Sequence, residues 1–102
     1  MNFYKTKAWE ITRARVLRLD GYEDQVALRF YGRHIPGTTV HHIWPRSVRP
    51  GWALQTWNLV TVSEATHNAL EDRRTGELSE LGKALQRLVT PGKDWRRRGS
   101  PP

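Results

Sequence analysis

Two short β-branched runs, Thr38-Thr39-Val40-His41-His42-Ile43 and Leu59-Val60-Thr61-Val62, set the limits on what this chain can fold into. They read as two strands, each the natural antiparallel partner of the other, and a ribbon of two strands needs helices to cover it. The first run stops at Pro45, which cannot donate to a strand ladder. The stretch Arg46–Thr56, holding Pro50-Gly51, is a loop. The connection of roughly 15 residues is long for a hairpin, and loops of that length inside compact domains tend to be functional. Ser63 then caps a helix from Glu64 to about Arg74, with Glu64 in its first turn and Thr75-Gly76 at its end. The centre of the fold is therefore strand, loop, strand, helix.

Lys5 to Leu19 holds no Gly or Pro, sets Trp9 and Val16 seven apart, and interleaves Arg13, Arg15 and Arg18. It predicts a helix with a basic outer face that stops at Asp20-Gly21. Residues 22–37 give a short turn or half-helix, broken by Gly32 and Pro36-Gly37, with Val26, Ala27, Leu28 and Phe30 as core contacts. Leu78, Leu81, Leu85 and Leu88 recur at helical spacing and predict a last amphipathic helix whose leucines are all core. From Thr90 onward the chain is Pro, Gly, Ser and Arg with one Trp, a composition that predicts disorder. The expected architecture is α+β: one domain over residues 1–90 and a basic tail over 91–102. A chain of 102 residues buries only about 65% of its unfolded surface, so any site lies close to the outside.

Composition narrows the chemistry. With no cysteine, disulfides, thiolate nucleophiles and sulfur-ligated zinc are excluded, and a metal must be held by His, Asp or Glu. No run is long and apolar enough to span a membrane, and the first residues lack the apolar block of a signal peptide, so a cytoplasmic protein is expected. The net charge of +7 points to an anionic partner, nucleic acid first. That charge is uneven: residues 1–20 carry +3, 21–62 carry +2, 63–90 carry −1 and 91–102 carry +3.

Of the four histidines, His41 and His42 lie in the first strand and His67 in the first turn of the following helix. Neighbouring strand residues point to opposite faces, so His41 and His42 cannot both face the core in the ordinary way. A strand–strand–helix unit folds the helix start back on the first strand, where one imidazole from each can converge on a metal. Glu71 stands four residues after His67 on the same expected helix face. Two nitrogens and a carboxylate leave positions open, as a catalytic divalent cation needs. The histidine left over, with an ordinary pKa near 6.5, can take a proton from water. Asn58 stands where its amide can bridge the loop.

Taken together, Thr39-Val40-His41-His42-Ile43-Trp44-Pro45, Trp57-Asn58-Leu59-Val60 and Ser63-Glu64-Ala65-Thr66-His67-Asn68 resemble the three blocks of the HNH endonucleases, the ββα-metal or His-Me finger class. The likeness extends through Phe3-Tyr4-Lys5, Trp9 and Arg18-Leu19-Asp20-Gly21-Tyr22 upstream, and Arg73-Arg74-Thr75-Gly76-Glu77-Leu78 downstream. It covers roughly residues 3–85 and has the character of small phage and prophage HNH proteins. The blocks are degenerate singly, but three in order at the right spacing are specific.

The resemblance implies a ββα-metal core with added N- and C-terminal helices, and a metal-dependent endonuclease that nicks or cuts double-stranded DNA. It sets His41 at a metal-binding position, His42 at the general base, Asn58 at the loop-bracing asparagine and His67 at the second metal ligand. Glu71 falls where some relatives have a further histidine ligand. One divalent ion is implied, Mg²⁺ foremost, with Mn²⁺, Ni²⁺ or Zn²⁺ accepted, and products bearing 5′-phosphate and 3′-hydroxyl ends. His42 must be neutral to act, so activity is expected to fall below about pH 6.5.

Many relatives also carry a structural zinc on two Cys-x-x-Cys pairs. The matching positions here are Asp24, Ala27, Ser63 and Thr66, so no structural zinc is expected, and packing plus hydrogen bonds from Ser63 and Thr66 must hold that neighbourhood. Arg13, Arg15, Arg18, Arg46, Arg49, Arg96, Arg97 and Arg98 are the candidate DNA contacts. His34 is expected at the surface and Trp9 in the core, while Trp44, Trp52 and Trp57 either close the loop or stack on a nucleotide. Two other readings keep the fold without the cutting: an inactive nucleic-acid-binding module, and an accessory partner of phage packaging proteins.

Overall fold

The computed structural model describes residues 2–72 and 74–98, except for the side chains of Arg97 and Arg98. A 3-10 turn over Phe3–Lys5 leads into α1, Lys7–Leu19, where the Thr6 hydroxyl caps the helix by accepting from the Trp9 N–H. Helix α1 buries Trp9, Thr12, Val16 and Leu17 and leaves Arg13, Arg15 and Arg18 exposed, as its sequence pattern predicts. Asp20 ends it, and Gly21 and Tyr22 both adopt left-handed backbone conformations in the turn that follows. The half-helix foreseen within 22–37 is a defined helix, α2, over Gln25–Tyr31. Asp24 caps its start, and Gly32 closes its end in the left-handed conformation.

Strand β1, Thr39–His42, pairs antiparallel with β2, Leu59–Val62, placing His41 opposite Val60 and His42 opposite Leu59. Among the described residues no third strand pairs with the outer edge of β2, and side chains satisfy it instead. The Asp20 carboxylate accepts the Thr61 N–H at 2.9 Å, Asp24 accepts the Ser63 N–H at 2.9 Å, and Arg96 donates to the Leu59 carbonyl at 2.8 Å. A bare edge is thereby closed without adding a strand. Val40 and Leu59 pack with Trp9, Val16 and Leu17 of α1, while Val60, Val62 and Ile43 join Val26, Leu70, Leu85, Val89 and Trp95 in the larger core.

Helix α3, Glu64–Leu70, is capped by the Ser63 hydroxyl and is shorter than its sequence suggests. Glu71 is already extended and forms an isolated bridge with Leu78, and the Asp72 N–H donates to the Glu77 carbonyl at 2.8 Å. Helix α4, Glu80–Leu88, buries Leu85 and half-buries Leu81, but Leu88 is 60% exposed, so not all its leucines are core.

The expectation of a disordered tail from residue 91 is corrected by α5, Trp95–Arg98. Trp95 is buried in the main core, and Arg96 pairs with Asp20, so the domain extends at least to residue 96. Residues 99–102 lie outside the described residues.

The four positions set against the relatives' zinc cysteines do meet, through hydrogen bonds. Asp24 accepts from the Ala27 N–H at 2.8 Å and from the Ser63 N–H and hydroxyl at 2.9 and 2.8 Å, and the Ser63 hydroxyl reaches Thr66 at 3.1 Å. Burial alone would raise the Asp24 pKa, but hydrogen bonds from Ala27, Thr66 and Ser63 outweigh it and hold the carboxyl below its ordinary 3.8. Asp24→Asn turns one acceptor into a donor facing Ser63 and is expected to cost about 3 kcal/mol in urea unfolding at pH 7. Because the folded pKa is depressed, this stability is present above pH 3.8 and is lost as pH falls through the lower folded value. The gap between wild type and variant should therefore narrow in acid; a gap independent of pH would contradict an ionised pin.

Candidate metal centre

His41 leaves β1 on the face that α3 covers, and His67 sits mid-way along that helix. Their rings meet edge to face with centroids 5.3 Å apart. Glu71, just past the helix end rather than on its face, still reaches His67 from its extended backbone, with Oε1 3.5 Å from Nε2. Ligand atoms of His41, His67 and Glu71 all lie within 4.8 Å of one another. Among the described residues the buried His41 Nε2 has no hydrogen-bond partner, an arrangement that costs free energy unless a ligand supplies one. Burial, followed by the nearby His67 and His42, pushes the His41 pKa down to about 3, so it is neutral and able to ligate.

His42 turns to the other face of β1, towards α1, and it too is buried. The two adjacent histidines thus point to opposite faces of the strand, as alternation predicts, and both faces are covered. The His42 ring stacks on Trp9 with centroids 5.1 Å apart and 22° between planes, with Phe3 and Tyr4 edge-on beyond. Its Nε2 lies 3.0 Å from the Ala53 carbonyl oxygen. A carbonyl can only accept, so Nε2 carries the proton and Nδ1 keeps its lone pair. Burial is the main cause that lowers the His42 pKa, with the charge of Arg46 adding to it and the Ala53 hydrogen bond opposing it.

Asn58 is fully buried and braces the long loop. Its Oδ1 accepts the Trp44 N–H at 2.8 Å, and its Nδ2 donates to the carbonyls of Trp44 and Trp52 at 3.1 and 3.2 Å. The Trp52 contact fixes the backbone immediately before Ala53, the partner of His42. Trp44, Trp52 and Trp57 pack edge to face among themselves and close the loop. His34 is at the surface beside Glu23.

A recess of about 350 Å³ joins both faces at the open edge of β1, lined by His41, His42, His67 and Glu71 together with Arg13 and Arg46. Arg15 and Arg18 lie exposed on α1, and Arg49 stacks over Trp52 at 5.1 Å, outside the recess. Arg96 is not available to DNA: its guanidinium is bound to Asp20 at 2.6 and 3.1 Å and to the Thr56 carbonyl at 3.0 Å. The side chains of Arg97 and Arg98 lie outside the described residues. The stacking of Trp9 on His42 escaped the sequence reading, which placed Trp9 in the core without a partner. Its only sequence signal was Phe3, Tyr4 and Trp9 lying within a few residues of one another.

A two-stranded ribbon and a helix together present two imidazoles and a carboxylate, with a third imidazole on the ribbon's other face, a ββα arrangement that could hold a divalent metal. No family model matches the chain, and no curated protein matches it. Among solved structures it is similar to the HNH endonuclease of the deep-sea thermophilic bacteriophage GVE2, determined with a manganese ion. The two are 35% identical with a TM-score of 0.62, over 65% of this chain and 71% of that one. The chain belongs to the HNH endonuclease family. No helix among the described residues is long and apolar enough to cross a membrane.

Proposed function

We propose that this protein is a metal-dependent endonuclease that hydrolyses DNA phosphodiesters, with His41, His67 and Glu71 holding one divalent cation and His42 as general base. The observation that carries this reading is the convergence of His41, His67 and Glu71, whose ligand atoms lie within 4.8 Å of one another, on a buried imidazole next in sequence to a second, rigidly held one. When bound there, the cation supplies Lewis-acid stabilisation of the charge that develops on the phosphoryl and departing oxygens. Mg²⁺ is the proposed working ion, and Mn²⁺, Ni²⁺ and Zn²⁺ suit the same mixed donor set.

His42 Nδ1 takes a proton from the attacking water as the new P–O bond forms and the bond to the 3′ oxygen breaks. The 3′ oxygen leaves with a proton from solvent, giving a 5′-phosphate and a 3′-hydroxyl. Trp9 and the Ala53 carbonyl fix the ring so that it needs no reorganisation during the step, and Asn58 fixes the loop that presents Ala53. Double-stranded DNA is the proposed substrate, since the exposed basic face of α1 adjoins the recess.

Supercoiled plasmid incubated with Mg²⁺ or Mn²⁺ is expected to relax to open circles or linear DNA, to stop doing so in EDTA, and to yield ends that ligase reseals without prior phosphorylation. Plasmid that binds but stays intact in every divalent ion would overturn the reading in favour of an inactive DNA-binding module.

A further inference from the structure

The recess contains more positive charge than holding a cation requires. It places arginines from two separate elements, Arg13 in α1 and Arg46 just after Pro45, beside the cluster of His41, His67 and Glu71, where they would repel a bound cation. Glu71 is the recess's one carboxylate, and among the described residues neither arginine forms an ion pair. Arg96, by contrast, is bound to Asp20, and Arg74 lies by Asp72.

Both recess arginines are nonetheless held in place. The Arg46 guanidinium lies 4.0 Å over the Phe3 ring and 5.2 Å from the Tyr4 ring centroid. Ring faces bind a cation without using its N–H groups, so the planar donor edge of Arg46 is left for a ligand. Arg13 spends one donor on the Thr38 carbonyl at 2.8 Å, which ties it to the backbone just before β1, and keeps its others. Fixed cations with unspent donors, unpaired beside a second positive centre, match a polyanion whose phosphates are evenly spaced.

We propose, on the basis of the nuclease reading, that Arg46 and Arg13 form a two-point phosphate clamp in which Arg46 grips the phosphodiester that is cut and Arg13 grips the adjacent phosphate of the same strand. Arg46 lies beside His42 and so touches the group whose charge changes in the reaction. Arg13 touches a phosphate whose charge does not change. The first contact therefore strengthens in the transition state and acts on kcat, whereas the second is uniform binding and acts on KM.

Two measurements on the full chain test this: nicking kinetics in Mn²⁺, and anisotropy of a labelled duplex in Ca²⁺ with His42→Ala as the background, titrated with salt. Arg46→Ala should lower kcat about 100-fold with KM changed little, and Arg46→Lys should recover at most about a tenth of the loss, because a point charge lacks the bidentate edge. Arg13→Ala should raise KM about fivefold at unchanged kcat, and each Ala variant should make the slope of log K against log salt shallower by about 0.9. Arg46→Gln keeps part of the aliphatic stem without the charge and should reproduce the kcat loss should Arg46→Ala prove unstable. Arg87→Ala, exposed on α4, should behave as wild type. Wild-type kcat in Arg46→Gln, or wild-type KM and salt slope in Arg13→Ala, would overturn the clamp. A wild-type protein that cuts nothing would defeat the nuclease reading, and the salt slopes would still decide the clamp.

Discussion

Replacing His42 with alanine is expected to lower kcat for plasmid nicking by about 10³-fold, within the usual range for a general base, while divalent-ion binding and the fold persist. The ring does not contribute to the cluster of His41, His67 and Glu71, so its loss removes no ligand. Its pKa is lowered chiefly by burial, with Arg46 adding to the effect. Since the neutral form is the active one and protonation becomes harder, the wild-type rate should stay flat as pH falls through the ordinary imidazole value near 6.5 and drop only below it. The sequence alone set that drop at about 6.5; the burial of His42 moves it lower. A variant that retains more than a tenth of wild-type kcat, or an acid limb centred above pH 6.5, would remove His42 from the role of base.

The second large effect is on stability. Arg96→Ala strips a carboxylate that is 5% exposed of its counter-ion, leaves the Thr56 and Leu59 carbonyls without their donor, and is expected to cost about 3–5 kcal/mol. Against a typical total of about 5–15 kcal/mol this would lower the urea midpoint sharply. The double variant Asp20→Ala/Arg96→Ala should lose less than the sum of the single losses, since no unpaired charge stays buried. Because Thr56 and Leu59 flank Asn58, loss of Arg96 should also weaken nicking under conditions where the chain is still folded. A loss below about 1 kcal/mol would mean that the tail is a surface appendage after all.

The difference between these two cases shows what a sequence of this kind reveals. His41, His42, Asn58 and His67 were legible because local rules place them: β-branched runs fix two strands, Ser63 fixes a helix start, and alternation separates the adjacent histidines. The same local rules misread the C-terminal stretch. Pro, Gly and Ser around Trp95 and Arg96 look like a solvated tail, and nothing nearby reveals that the partner of Arg96 is Asp20, at the far end of the chain. Asp20 itself reads as a helix stop, which it is, but its carboxylate also closes the edge of β2. Helix α3 was overextended because residues 71–74 have adequate helix propensity, and the bridge from Glu71 to Leu78 prevails through tertiary contact. Burial of both His41 and His42 was missed because alternation tells which way a side chain points, not what covers each face.

The central claim is that His41 holds a metal together with His67 and Glu71. A Mn²⁺ titration followed by the resonance signal of the free ion tests it most directly, because it needs neither DNA nor turnover. One ion per chain is expected for the wild type and for His42→Ala, weaker binding for His67→Ala and Glu71→Gln, and none at the same concentrations for His41→Ala. Wild-type protein that leaves the free-ion signal unchanged, or His41→Ala binding Mn²⁺ as the wild type does, would contradict it.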